Sequence, residues 1–216
     1  MMNDTKMRDG MQRFYNEVSG REVFVIGGGP SFQYVDKKML EGKLVVCINT
    51  AYKEFNNPTA LYWCDESWVA NHYDNIMKHQ CPLRFTARHA ADGHITKNIL
   101  GTGNSIVLKR TGDFGIDTDF NHVKGNNSGA HVINLLANMK VRRIILLGYD
   151  LTMSKGKSHW HDGHGLPMAN HIYNELFIPC LNSMADPLKN LKIDIVNCSV
   201  GTALKCFRED KLENYV

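Results

Sequence analysis

Short apolar runs that stop at glycine or a small polar residue recur along the chain, and they restrict the folds open to it. "REVFVIGGG", "KLVVCINTAY", "RRIILLGYDL" and "KIDIVNCS" have the length and β-branched content of strands buried on both faces. "ALYWCDESW", "PLRFTAR" and "SIVLKR" read as further strands. Helical stretches separate them. "PSFQYVDKKMLEG" is expected to be one, opened by Pro30 and Ser31 and closed by Gly42. Another follows Asp65. In "GNNSGAHVINLLANMKV", Asn127 or Ser128 can cap a helix whose apolar face is Val132, Leu135, Leu136 and Met139. "LPMANHIYNELFIPCLNSMADPLKNL" reads as a long helical region with breaks near Pro179 or Pro187, and the tail "TALKCFREDKLENYV" as a short helix. This alternation predicts an α/β fold: a single Rossmann-like, doubly wound, mostly parallel sheet with helices on both faces. Residues 1–20 are expected to be a helical or poorly ordered segment. Residues 21–216 are expected to form one nucleotide-binding domain, with a loop-rich insertion near 89–125.

The totals exclude several classes. A chain of 216 residues with 43% hydrophobic and 22% charged residues can bury a core of ordinary size. Its formal charge of +3 is too small to indicate nucleic acid and suits a small anion equally well. No apolar run reaches bilayer length, and the N-terminus lacks the apolar region of a signal peptide. Cys47, Cys64, Cys81, Cys180, Cys198 and Cys206 form no CxxC pair and read as buried free thiols of a reducing compartment. The expected location is the cytoplasm, without membrane insertion.

In doubly wound sheets, ligands bind beyond the carboxyl ends of the strands. The residues there are Gly27, Gly28, Gly29, Pro30 and Ser31; Asn49 and Thr50; Asp65; Asn126, Asn127, Ser128 and Gly129; Tyr149 and Asp150; and Asn197 to Ser199. The glycines permit close backbone approach to a phosphate, and Ser31 adds a hydroxyl. NAD is not the expected ligand. Phe32 stands where a dinucleotide loop has its third glycine, and the second strand ends in Asn49 instead of the acidic residue that holds a ribose. The amide of Asn49 can serve a ribose or a base edge as donor and acceptor. The alternative is a tight strand-to-helix turn that binds nothing.

"KSHWHDGHG" concentrates His159, His161, Asp162 and His164 in six positions. Three readings stay open: a zinc site of His159, His161 and His164; a histidine base for a substrate hydroxyl; and a polar loop without special role. Asp65 and Asp150, each just after an apolar run, can bind Mg²⁺, a ribose or an acceptor hydroxyl, or cap a helix. His131 and His171 fall in helical stretches and read as packing or surface residues.

The ordered set "VIGGGPS", "INTAY", "NNSGAHVINLLANMKVRRIILLGYDL" and "SHWHDGH" resembles the motifs of bacterial CMP-sialic-acid-dependent sialyltransferases of Rossmann-like fold. It also resembles the related group of archaeal 6-hydroxymethyl-dihydropterin diphosphokinase and phage and bacterial proteins of unassigned role, which "VNCSVGTALKCF" resembles better. The resemblance spans most of residues 22–207. It implies a transferase that moves a sugar from a nucleotide-sugar donor to an acceptor hydroxyl. Gly29, Ser31, Asn49, Ser128 and Gly129 would line the nucleotide, and His164, or His161 given one extra residue in the loop, would be the base. Such enzymes aim two tyrosines at the donor phosphate; here Tyr149 alone lies nearby in sequence. The diphosphokinase group implies ATP with Mg²⁺ instead, with Asp65 or Asp150 as ligand. A nucleotide-binding protein without catalysis is the third expectation. A homo-oligomer fits a domain of this size.

Overall fold

The computed structural model describes residues 4–89, 105–161 and 169–216. Its strands are β1 (Glu22–Ile26), β2 (Val45–Ile48), β3 (Ala60–Trp63), β4 (Arg84–His89), β5 (Ser105–Arg110), β6 (His122–Val123), β7 (Arg143–Leu147), β8 (Asp194–Asn197) and β9 (Arg208–Glu209). They form one sheet in the order β6-β5-β4-β3-β2-β1-β7-β8-β9, with every pairing parallel. The fold is therefore α/β with a single Rossmann-like sheet.

Successive residues of each central strand face opposite layers, and both layers are apolar. Val23, Val25, Val46, Tyr62, Ile144 and Leu146 pack on one side; Phe24, Ile26, Val45, Trp63, Ile145 and Leu147 pack on the other. The first layer is covered by α1 (Asp4–Val18), α3 (Ser128–Asn138), α5 (Ile178–Asn182) and α6 (Ala185–Asn190); the second is covered by α2 (Glu66–Lys78) and short 3-10 turns. Residues of α1 are part of this core, since Met11, Phe14 and Val18 are fully buried. From β1 to β4 the strands step one way across the sheet, and from β7 to β9 the other way. Right-handed crossovers put the connections of these two series on opposite faces. The loops after β1 and β7 thus diverge and leave a crevice between them.

Local chemistry overrides three sequence expectations. Residues 30–42 do not make an α-helix but two 3-10 turns, Pro30–Tyr34 and Lys37–Leu40, the second capped by the Asp36 carboxylate on the Lys38 amide. Phe32 is buried there, edge-on to Trp160 with centroids 5.5 Å apart. The long helical region opens with α4 (Asn170–Ile172), passes through a π-helical turn at Tyr173–Phe177, resumes as α5 and stops before Ala185. Pro179 directly follows the π-helical turn inside a helical run unbroken from Asn170 to Asn182, Pro187 lies in the first turn of α6, where a missing amide costs little, and the break falls between them at Ser183 and Met184. The tail is not helical: it pairs as β9 along β8 and ends in a 3-10 turn at Leu212–Asn214. Arg208 holds it to Asp194, Asp210 and Tyr215.

Candidate functional site

A cleft of about 280 Å³ opens at the crevice between the β1 and β7 loops. Its walls come from seven places in the chain: Gly27 to Gly29; Ile48 and Asn49; Cys64 and Asp65; Asn126 to Gly129; Gly148, Tyr149 and Leu151; Ser158 and His159; and Tyr173, Phe177 and Leu181. One wall is polar and one is aromatic and aliphatic, the usual make-up of a small-molecule site.

The glycine loop is tied to the protein itself. The Gly27 amide donates to Leu147 O and the Gly29 amide to Gly148 O, each at 2.8 Å. Ser31 donates through its amide and its hydroxyl to the two oxygens of Asp150, both at 2.8 Å. Pro30 has no amide hydrogen. Only the Gly28 amide has no acceptor among the described residues. The loop's carbonyls are engaged as well, because Trp160 donates its amide to Gly28 O at 3.0 Å and its indole N–H to Gly27 O at 3.2 Å. Crowding explains the glycines. A Cβ at Gly29 would lie 2.0 Å from Asp150 Oδ2 and 2.6 Å from Gly148 O, and one at Gly27 would lie 2.6 Å from Gly148 O. Gly29 has φ −65° and ψ 148°, which any residue adopts, so space and not conformation demands glycine.

The first turn of α3 is arranged differently. Asn127, not Ser128, is its cap, and its Oδ1 accepts from the Ala130 amide. The amides of Ser128 and Gly129 precede the first intrahelical bond and line the cleft at the positive end of the helix dipole. Buried partners fix this turn. Tyr149 donates its phenol to Gly129 O at 3.2 Å, and burial pushes that phenol's pKa up. His131 bridges Tyr62 Oη and Gly125 O at 2.9 and 3.0 Å, and its burial pulls the imidazole down to about 4, so it is neutral. Ser128 Oγ meets Cys64 Sγ at 2.9 Å, and burial pushes that thiol up.

Asn49 follows β2 with φ 50°, a left-handed conformation that asparagine tolerates better than other side-chain-bearing residues. Such backbone cost is found at ligand sites. Thr50 lines no part of the cleft; its hydroxyl accepts from the Trp68 indole at 2.8 Å. Asp65 lines the cleft while capping α2, accepting from the Trp68 amide and Ser67 Oγ. Asp150 is buried, and that burial raises its carboxyl while the Ser31 bonds pull it down. The two carboxylates expected to hold Mg²⁺ therefore each already accept two hydrogen bonds. Asn197, Ser199 and Thr202, at the end of β8, bond to the backbone of Tyr149 and brace the β7 loop.

Of the described histidines of this segment, His159 lines the cleft, with Ser158 Oγ 2.8 Å from its Nδ1. The His161 ring instead packs edge-on to Trp160, 4.6 Å between centroids, and lies 5.5 Å from the His159 ring. His164 and Asp162 lie outside the described residues. Among the described residues the one group of three side chains spaced to hold a metal is Asp117, Asp119 and His122, none of which lines the cleft. Tyr173 is not singled out by the sequence, where it falls within the long helical region. Its phenol, raised by burial, donates to Ser158 O, and the π-helical turn places it and Phe177 on the cleft wall.

Searches with known family models, curated proteins and solved structures match nothing to this chain. No helix among the described residues is long and apolar enough to cross a membrane.

Proposed function

We propose that the chain is a nucleotide-dependent transferase that moves a sugar from a nucleotide-sugar donor, of the CMP-sugar kind, to an acceptor hydroxyl. The observation that carries this reading is the cleft at the strand-order reversal, with the open first turn of α3 and a histidine on the same walls. The donor phosphate sits at the Ser128 and Gly129 amides, where a helix N-terminus favours an anion. The Gly28 amide adds a donor from the opposite side. Asn49 and Asp65, after β2 and β3, take the nucleoside; Tyr149 and Tyr173 flank the phosphate end. The acceptor oxygen attacks the anomeric carbon and its proton passes to a histidine of the 159–164 loop. The bond from that carbon to the phosphate oxygen breaks, and the nucleotide departs with the electron pair. Fixed amides aimed at the developing phosphate charge lower the barrier.

A thermal-shift panel of CMP, UMP, GDP, AMP and ATP, each with Mg²⁺ and with EDTA, tests this. A ligand at one hundred times its Kd adds about 2.7 kcal/mol of stability. The reading predicts a shift with CMP in either condition. A shift confined to ATP with Mg²⁺ transfers the assignment to diphosphoryl transfer. Binding without turnover of any donor makes the chain a nucleotide-binding protein, and no shift at all removes the transferase reading.

A further inference from the structure

The glycine loop and the histidine segment fit each other at one point. Gly28 is the loop glycine whose missing Cβ would meet one side chain alone, with backbone absent from its nearest neighbours. A Cβ there would lie 2.7 Å from His159 Cδ2 and 3.5 Å from Nε2, so the imidazole edge rests directly on the Gly28 α-carbon. The φ of Gly28 lies outside the left-handed region, so its backbone alone does not require glycine. The next residue along the segment, Trp160, locks this contact by donating to both Gly27 O and Gly28 O, with Phe32 against its ring. On the other side, Ser158 Oγ lies 2.8 Å from Nδ1, which couples the ring's tautomer to one hydroxyl. Tyr173 donates to Ser158 O and steadies that residue from the cleft wall.

We infer that His159 is the base of the proposed transfer and that Gly28 and Trp160 are its positioning residues, so it is the imidazole and not the phosphate that requires position 28 to lack a side chain. This rests on the transferase reading for the identity of the reaction, but the seating of the ring does not. His159 meets three requirements of a base: it lines the cleft, a neighbouring hydroxyl engages one ring nitrogen, and the ring is packed against a fixed surface. The two residues that the family resemblance favoured, His161 and His164, are packed on Trp160 and outside the described residues, respectively.

The test is NMR of ¹⁵N-histidine-labelled protein, reading the ring nitrogens, with the His159 signals assigned by their loss in His159→Gln. The variants are Gly28→Ala and Trp160→Phe; the second keeps a ring against Phe32 and loses only the indole donor. Without ligand, both variants are expected to change the tautomer balance or titration midpoint of His159, Gly28→Ala the more. With CMP as the probe, the wild-type His159 signals shift on saturation. Gly28→Ala still binds CMP but loses that shift. His159 signals in Gly28→Ala and Trp160→Phe that coincide with wild type overturn the seat. CMP binding abolished in Gly28→Ala with unmoved ring signals overturns it too, since the glycine would then serve the phosphate. If CMP and Mg-ATP both fail to bind wild type, the transferase reading and the role of base fall, while the ligand-free spectra still decide the seat. If Gly28→Ala does not fold, Trp160→Phe carries the same comparison.

Discussion

The β1 loop and the first turn of α3 face each other across one cleft and use their backbone amides in opposite ways. In the loop, Gly27, Gly29 and Ser31 donate to Leu147, Gly148 and Asp150, and Trp160 fills the carbonyls. In the helix, a single amide is capped by Asn127 and those of Ser128 and Gly129 open on the cleft. The loop carries the louder sequence signal, three successive glycines, yet most of its donors are committed. The difference teaches that glycine marks close approach without saying what approaches. Here backbone and a carboxylate approach Gly27 and Gly29, and an imidazole approaches Gly28.

The hardest way to break this contrast is Gly29→Ala. Its Cβ meets Asp150 and the Gly148 carbonyl, neither of which can turn away without breaking the loop's own bonds. A loss of about 3 kcal/mol is expected in urea unfolding, at the upper end of ordinary overpacking. A wild-type midpoint would show that the loop is not packed as described.

A pH titration probes the helix side. The folded pKa of His131, about 4, lies below its unfolded value of 6.5, so the folded state holds the neutral ring. Its contribution is complete above pH 6.5 and is lost as pH falls toward 4. The sum is about 3 kcal/mol over that interval, and it loosens the α3 turn that His131 ties to Tyr62 and Gly125. Denaturation at several pH values should give a slope that His131→Gln flattens; an unchanged slope assigns the loss to other groups.

Removing the cap is milder. Asn127→Ala is expected to cost about 1 kcal/mol of stability and to weaken CMP about tenfold, because it frays the turn that holds the phosphate. Equal CMP affinity in the variant, read by calorimetry, moves the phosphate elsewhere. The smallest effect concerns Cys64, the one cysteine among the cleft-lining residues. CMP at ten times its Kd should slow its alkylation about tenfold, by mass action alone. Modification at the same rate with and without CMP places the nucleotide away from the α3 turn, where Cys64 meets Ser128.

The central strands were legible because a parallel sheet buried on both faces writes itself as continuous apolar runs, as in "VFVI" and "IILL". The strand ends then named Asn49, Asp65, Ser128 and Tyr149 as neighbours, and the cleft contains all four. What was not legible depends on contacts distant in sequence. Nothing local says that Asp150 would take both donors of Ser31, 119 positions away. The tail's pairing with β8 is equally non-local, and its polar pattern suits a short helix as well as an edge strand. The histidine density singled out the segment, but not that His159 among its described histidines lines the cleft, which goes with Trp160 docking on the glycine carbonyls between His159 and His161. Tyr173 went unnoticed because a π-helical turn shifts the helix register, and a period of 3.6 cannot register that.

The measurement that tests the account most directly is the backbone amide spectrum of ¹⁵N-labelled protein titrated with CMP. The account predicts the largest shifts at Ser128 and Gly129, a smaller one at Gly28, and little change at Gly27, Gly29 and Ser31, whose protons are held inside the protein. Large shifts at Gly29 and Ser31 with Ser128 and Gly129 unmoved would return the phosphate to the glycine loop and contradict it.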